Sequence, residues 1–139
     1  MKLNFQKQKV LNFRLIGFKQ NLGSKSEIAK NQAKLVTYLT QNNDLHLISD
    51  KFYFEMIDGQ IYGPYIGVIG QKSKIPSDLN VLEFQNFNWL RSNLDNFDID
   101  AQGLLKLDQL FPKIREKIPF KNVFLSLEFD KIELHFFEV

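Results

Sequence analysis

Glu128, Glu133, His135 and Phe137 lie close together near the C-terminus, at spacings that place them on one face of paired strands. A hairpin turning at Asp130-Lys131 sets Phe129 against Ile132, Leu127 against Leu134 and Leu125 against Phe136, because directly opposed residues share a face. That face, with Val123, is apolar throughout and must pack on helices. The other carries Phe124, Ser126, Glu128, Glu133, His135 and Phe137. Rings stack on planar molecules and carboxylates attract cations, so the mixture suits a ligand cleft. A wetted sheet face with two incidental rings is the plainer alternative. Glu128 and Glu133 should stand nearly opposite, where like charges cost stability unless a cation intervenes. Such a pair also divides into acid and base when one pKa rises.

The first half of the chain offers a second set. In Lys51–Ile57, Tyr53 and Glu55 fall on one face, and Phe52, Phe54 and Met56 on the other. Tyr62-Gly63-Pro64-Tyr65 adds two phenols, and Trp89 ends a later strand. With 14 Phe, 4 Tyr and 1 Trp, the chain holds more rings than a small core needs, so some should line a surface or a cavity. A Phe-rich core with hydroxyls at its rim is the alternative. The candidate ligand-binding set is therefore Glu128, Glu133, His135, Phe137, Trp89, Tyr53, Glu55 and Tyr65. No catalytic residue, metal ligand or cofactor is assigned. His46 and His135 lack partners at metal-ligand spacing, apart from Glu133. Ser24-Lys25-Ser26 has no phosphate-binding glycine pattern, no nucleophile elbow is present, and there is no Cys.

Alternation over residues 9–18 predicts a strand with one wet face. Ser24-Lys25-Ser26-Glu27 is a capping box, and Ile28, Leu35, Val36 and Leu39 then share a helix face. Asp58-Gly59 turns the strand Lys51–Ile57 onto Ile61–Gly70, where Pro64 implies an edge or a bulge. The order then recurs: an Ile75-Pro76 loop, a strand over Val81–Leu90, and a helix capped by Asp98 or Asp100. Pro112 should kink or split that helix, Pro119 should end it, and the C-terminal hairpin follows. Leu11-Asn12-Phe13 also aligns with Leu82-Glu83-Phe84. The expected fold is one α+β domain over residues 1–139. It has duplicated strand-helix-hairpin (βαββ) units at about 9–70 and 75–139, sharing a mainly antiparallel sheet. Helices lie on one face and a ligand cleft between the repeats.

Length and charge bound the partners. The 139 residues suit one domain, and a net charge of +2 from dispersed Lys and Arg argues against nucleic acid. No apolar run reaches membrane-spanning length and the N-terminus lacks a signal-peptide core, so no membrane partner and a cytoplasmic location are expected.

Val10–Phe18, with its apolar-Gly ending, and Tyr65-Ile66-Gly67-Val68 resemble strands of the GyrI-like small-molecule-binding domain. That domain also serves as the effector-binding part of AraC- and MerR-type bacterial regulators. The order of elements over residues 9–139 agrees. The resemblance implies a stand-alone member that binds small lipophilic, often cationic aromatic, molecules between two repeats. A glutamate on the first strand of the last hairpin would contact the cation. An ungapped match places it at Leu125, and a three-residue shift at Glu128. Some stand-alone relatives hydrolyse strained electrophiles using a glutamate and aromatic residues, and others are linked to gyrase inhibition. Sequestration or sensing is the expected role, with a hydrolase using Glu128 or Glu55 and a gyrase-inhibitor-type interaction protein as alternatives.

Overall fold

The computed structural model describes residues 3–69 and 77–138. The expected Ile75-Pro76 loop lies outside them. Six strands and two helices are arranged in the order β1 (Gln6–Leu22), α1 (Lys25–Gln41), β2 (Lys51–Ile57), β3 (Gln60–Ile69), β4 (Asn80–Asn93), α2 (Ala101–Arg115), β5 (Phe120–Glu128) and β6 (Lys131–Glu138). A 3-10 turn at Leu45–Leu47 precedes β2.

The strands do not form an open sheet shared by two units. They close into a barrel of order β1-β3-β2-β5-β6-β4, with β4 returning to β1 and every pairing antiparallel. This overturns the expected α+β arrangement of duplicated units with a cleft between them. The cause lies in the length of β1. Its 17 residues pair with β4 from Gln6 to Gly17 and with β3 from Phe13 to Leu22, so both edges are used. The remaining free edges, of β2 and β5, then meet from Lys51↔Glu128 to Glu55↔Phe124. Closure satisfies backbone groups that an open sheet would leave as edges.

A closed wall splits the hydrophobic residues into two sets. Val10, Phe13, Leu15, Tyr53, Tyr65, Phe87, Trp89, Phe124 and Phe137 form one buried cluster drawn from all six strands and neither helix, which is the barrel interior. Alternate strand residues, including Ile16, Phe54, Ile66, Leu125, Leu134 and Phe136, join Ile28, Leu35 and Leu39 of α1 and Leu104, Leu107 and Phe111 of α2 outside it. Gly17 lets β1 approach β3 closely there, since a Cβ would collide with the Pro64 carbonyl oxygen.

Local signals set the helix ends. Ser24 Oγ accepts from the Glu27 amide at 3.3 Å, and Glu27 accepts from the Gly23 amide at 3.1 Å. Asp100 accepts from the Gly103 amide at 2.8 Å. Pro112 neither splits nor ends α2, which continues to Arg115. In its last turn, Pro112 forfeits only one donor.

The C-terminal hairpin also departs from expectation. It turns at Phe129-Asp130, with Glu128↔Lys131, Leu127↔Ile132, Leu125↔Leu134 and Val123↔Phe136. The shift is two residues, an even number, so each side chain keeps its face while its partner changes.

Candidate functional site

The even shift alters the electrostatics of the carboxylate pair. Glu133 stands opposite Ser126, and Glu128 stands opposite Lys131 and, on its other edge, Lys51. The expected Glu128–Glu133 opposition is absent. Glu133 is buried and pairs with the Lys51 ammonium at 3.1 Å. That ammonium also lies 5.4 Å from the Tyr53 ring centre. Glu128 is half-buried at the barrel's end.

His135 is fully buried and fully engaged. Its Nδ1 accepts from the Trp89 indole N–H at 2.8 Å, and its Nε2 lies 2.7 Å from Ser126 Oγ. An indole nitrogen only donates, so Nδ1 carries no proton and the hydrogen sits on Nε2, donated to Ser126. Burial holds the imidazole well below its usual pKa, and Lys51 and Arg91 push the same way. Such a Ser–His pair cannot be a nucleophile and its base, because the imidazole's one lone pair is already occupied. Tyr53, whose ring centre lies 5.3 Å from that of His135, is also kept protonated, by burial first and Glu133 second. Phe137 packs against Trp89, with ring centres 5.5 Å apart. A polar hollow of about 190 Å³ opens beside Glu133, lined also by Gln6, Arg91 and Lys131.

The opposite end is less complete. Glu55 is half-buried, opposite Phe124 on β5 and Tyr62 on β3. Burial raises its pKa, while a hydrogen bond from Asn122 and the charge of Lys19 work against the rise. Tyr65 is 0% exposed, and its hydroxyl has no hydrogen-bond partner among the described residues. Its pKa is pushed up to about 12, by burial and then by Glu55. A bulge at Gly63-Pro64, answered by one at Phe18-Lys19, bends β3 and β1 beside the pair. Phe84, only partly buried, leans on Phe124 with ring centres 5.7 Å apart.

The eight candidate residues thus divide. Tyr53, Trp89, Glu133, His135 and Phe137 meet in the interior near one mouth, with Glu128 at its edge, while Glu55 and Tyr65 meet near the other. Three contributors were not singled out in the sequence: Lys51, Ser126 and Asn122. Strand parity carries a signal for all three. Lys51 shares a face with Tyr53, and Ser126 shares one with Phe124 and Glu128. Asn122 lies on that same face, because the register shift falls between it and Phe120 and the alternation from Asn122 to Glu128 is unbroken. Among the described residues there is no cluster of three His, Cys, Asp or Glu able to hold a metal, and no helix long and apolar enough to cross a membrane.

No family model matches the chain, and no curated protein matches it. The GyrI-like likeness therefore remains a resemblance. Among solved structures, a Staphylococcus aureus MU50 protein described as a candidate bacterial transcription regulation protein is similar over 99% of each chain. Its identity is 12% and its TM-score 0.49. An integron cassette protein from the mobile metagenome of Vibrio cholerae is similar over 97% of this chain and 95% of its own, at 10% identity and a TM-score of 0.40. The site is accordingly read from its own geometry.

Proposed function

We propose that the Glu55–Tyr65 end of the barrel binds a small lipophilic molecule carrying an aromatic body and a cationic group. The unpartnered Tyr65 hydroxyl, buried beside a half-buried carboxylate, carries this reading. A buried polar group without a partner costs about 1–3 kcal/mol, so a native fold that keeps one calls for an explanation. A ligand that accepts from Tyr65 and places positive charge on Glu55 relieves both groups at once. Phe84, partly buried and backed by Phe124, offers a ring for its body, and the exposed Lys19 is a counterion that the ligand's cation can displace. The interior network near the other mouth supports the site without joining it, since its donors and acceptors are matched.

The test uses two aromatic dyes of the same shape, one cationic and one neutral, titrated while Trp89 fluorescence is followed. Glu55→Gln should weaken the cationic dye by roughly tenfold or more and the neutral dye far less. Tyr65→Phe should weaken whichever dye presents an acceptor. Glu128→Gln should change neither, because Glu128 faces Lys51 and Lys131. Equal binding by wild type and Glu55→Gln would refute the proposal.

The raised carboxyl beside a phenol also favours a second reading, the hydrolysis of a strained electrophile. Water's oxygen would bond to the ring carbon while Glu55 takes its proton. The strained bond would break toward an oxygen or carbon that Tyr65 protonates, and the proton held on Glu55 would then restore the phenol. Multiple turnovers of an epoxide or activated cyclopropane, lost in Glu55→Gln, would replace simple binding with this activity.

A further inference from the structure

The tip of the β5–β6 hairpin carries a ring that folding does not need. Phe129 is 77% exposed, and its backbone φ is +54°. A side chain in the left-handed region costs about 1–2 kcal/mol, and this ring recovers little of that by packing. Glycine or asparagine would hold the same turn at lower cost. Leu11, Leu45 and Leu105 are also exposed, but all three have ordinary backbone conformations.

Beside the ring lies an apolar hollow of about 310 Å³, ample for one aromatic side chain. Ile28 of α1, Phe97 and Ile99 of the segment before α2, and Leu127 and Ile132 of the hairpin line it, with Phe129 itself forming one edge. Two opposite charges stand at its rim, Lys25 and Asp130. Lys25 reaches Asp98 at 3.8 Å, but both are largely exposed, so that pair holds it weakly.

A knob set beside a hole of matching chemistry is self-complementary. A two-fold axis between them would lay each knob over the other molecule's hole, with Lys25 of one copy available to Asp130 of the other. We propose that a second copy of this chain docks here, with Phe129 of each copy filling the hollow of the other in a closed two-fold dimer. An aromatic anchor in a desolvated pocket ringed by polar residues is the usual centre of binding energy in such contacts.

Sedimentation velocity on the full chain, from low micromolar to submillimolar concentration, tests this. The wild type should pass reversibly from monomer to dimer. Phe129→Asn should raise the dissociation constant on the order of tenfold or more, with unchanged circular dichroism and no loss of thermal stability. Lys25→Asp and Asp130→Lys should each weaken association, and combining them should restore it. A wild type that stays monomeric at its highest soluble concentration would overturn the proposal. So would a Phe129→Asn variant that associates like the wild type. Failure of the double exchange to restore association would overturn the two-fold arrangement.

Discussion

The hairpins β2–β3 and β5–β6 are neighbours in the barrel wall, joined through β2 and β5, yet they turn on opposite kinds of residue. At Asp58-Gly59 both residues are left-handed, with φ of 51° and 77°. Aspartate tolerates that region and glycine enters it freely, so the turn matches the twist of its strands at little cost. At Phe129-Asp130 only the first residue is left-handed, and it is a phenylalanine. One hairpin ends in residues chosen for the turn. The other keeps a residue the turn disfavours, which marks its tip for something besides folding.

Behind their tips the two hairpins are equals, and the largest predicted effect tests that. Phe54 on β2 and Phe136 on β6 are each 0% exposed on the helix-covered face. Phe54→Ala and Phe136→Ala should each cost about 3–5 kcal/mol in denaturant unfolding. A large loss in one hairpin and a small one in the other would show that the wall is not uniformly packed.

That equality was legible in the sequence, and closure was not. The apolar set Val123, Leu125, Leu127, Ile132, Leu134 and Phe136 follows from period-two alternation, which survives any even shift of register. Ser24 and Asp58-Gly59 announce themselves, and Asp100 as one of two cap candidates with Asp98, because caps and turns are local chemistry. Pairing between β2 and β5 depends on edges about seventy residues apart in sequence, and alternation does not say which edge meets which. The turn at Phe129-Asp130 was hidden because phenylalanine is a poor signal for a left-handed position. Of the candidate site, the faces of Tyr53, Glu55, His135 and Phe137 were readable, but their division between two ends of a barrel was not. That division follows from the closed topology.

The next effect in size belongs to the second hairpin alone. His135 is neutral in the fold, with Lys51, Arg91 and Glu133 around it, whereas the unfolded chain takes up this proton near pH 6.5. The unfolded state therefore binds more protons in acid. Stability should be full above about pH 7 and fall below about pH 6.5, by up to about 1.4 kcal/mol per pH unit. Protonation also sets a second N–H against the Trp89 donor, so indole fluorescence should report the loss. Glu55, raised in the fold, acts with the opposite sign: its contribution is present in acid and lost as pH rises. The slope is best read in a Glu55→Gln background, where His135→Gln should flatten it. An unchanged slope would show that the buried imidazole is not the proton's site.

The smallest effects separate the two tips most sharply. At Gly59 a Cβ would come no nearer than 3.9 Å to Asp108, so space is not the obstacle, and the left-handed φ is. Gly59→Ala should therefore cost about 1–2 kcal/mol, the ordinary penalty for a side chain there. Phe129→Asn should move the other way. It trades a bulky residue for one that tolerates the left-handed region and gives up little buried area, since the ring is 77% exposed, so the monomer should gain up to about 1 kcal/mol. Both are measured by denaturant unfolding at concentrations low enough to keep the chain monomeric, since association would otherwise add to the wild type's apparent stability. Opposite signs would confirm that one turn is optimised for the fold and the other is held away from its optimum. A loss at both positions would mean that the Phe129 ring packs usefully within its own chain, and the contrast between the hairpins would disappear.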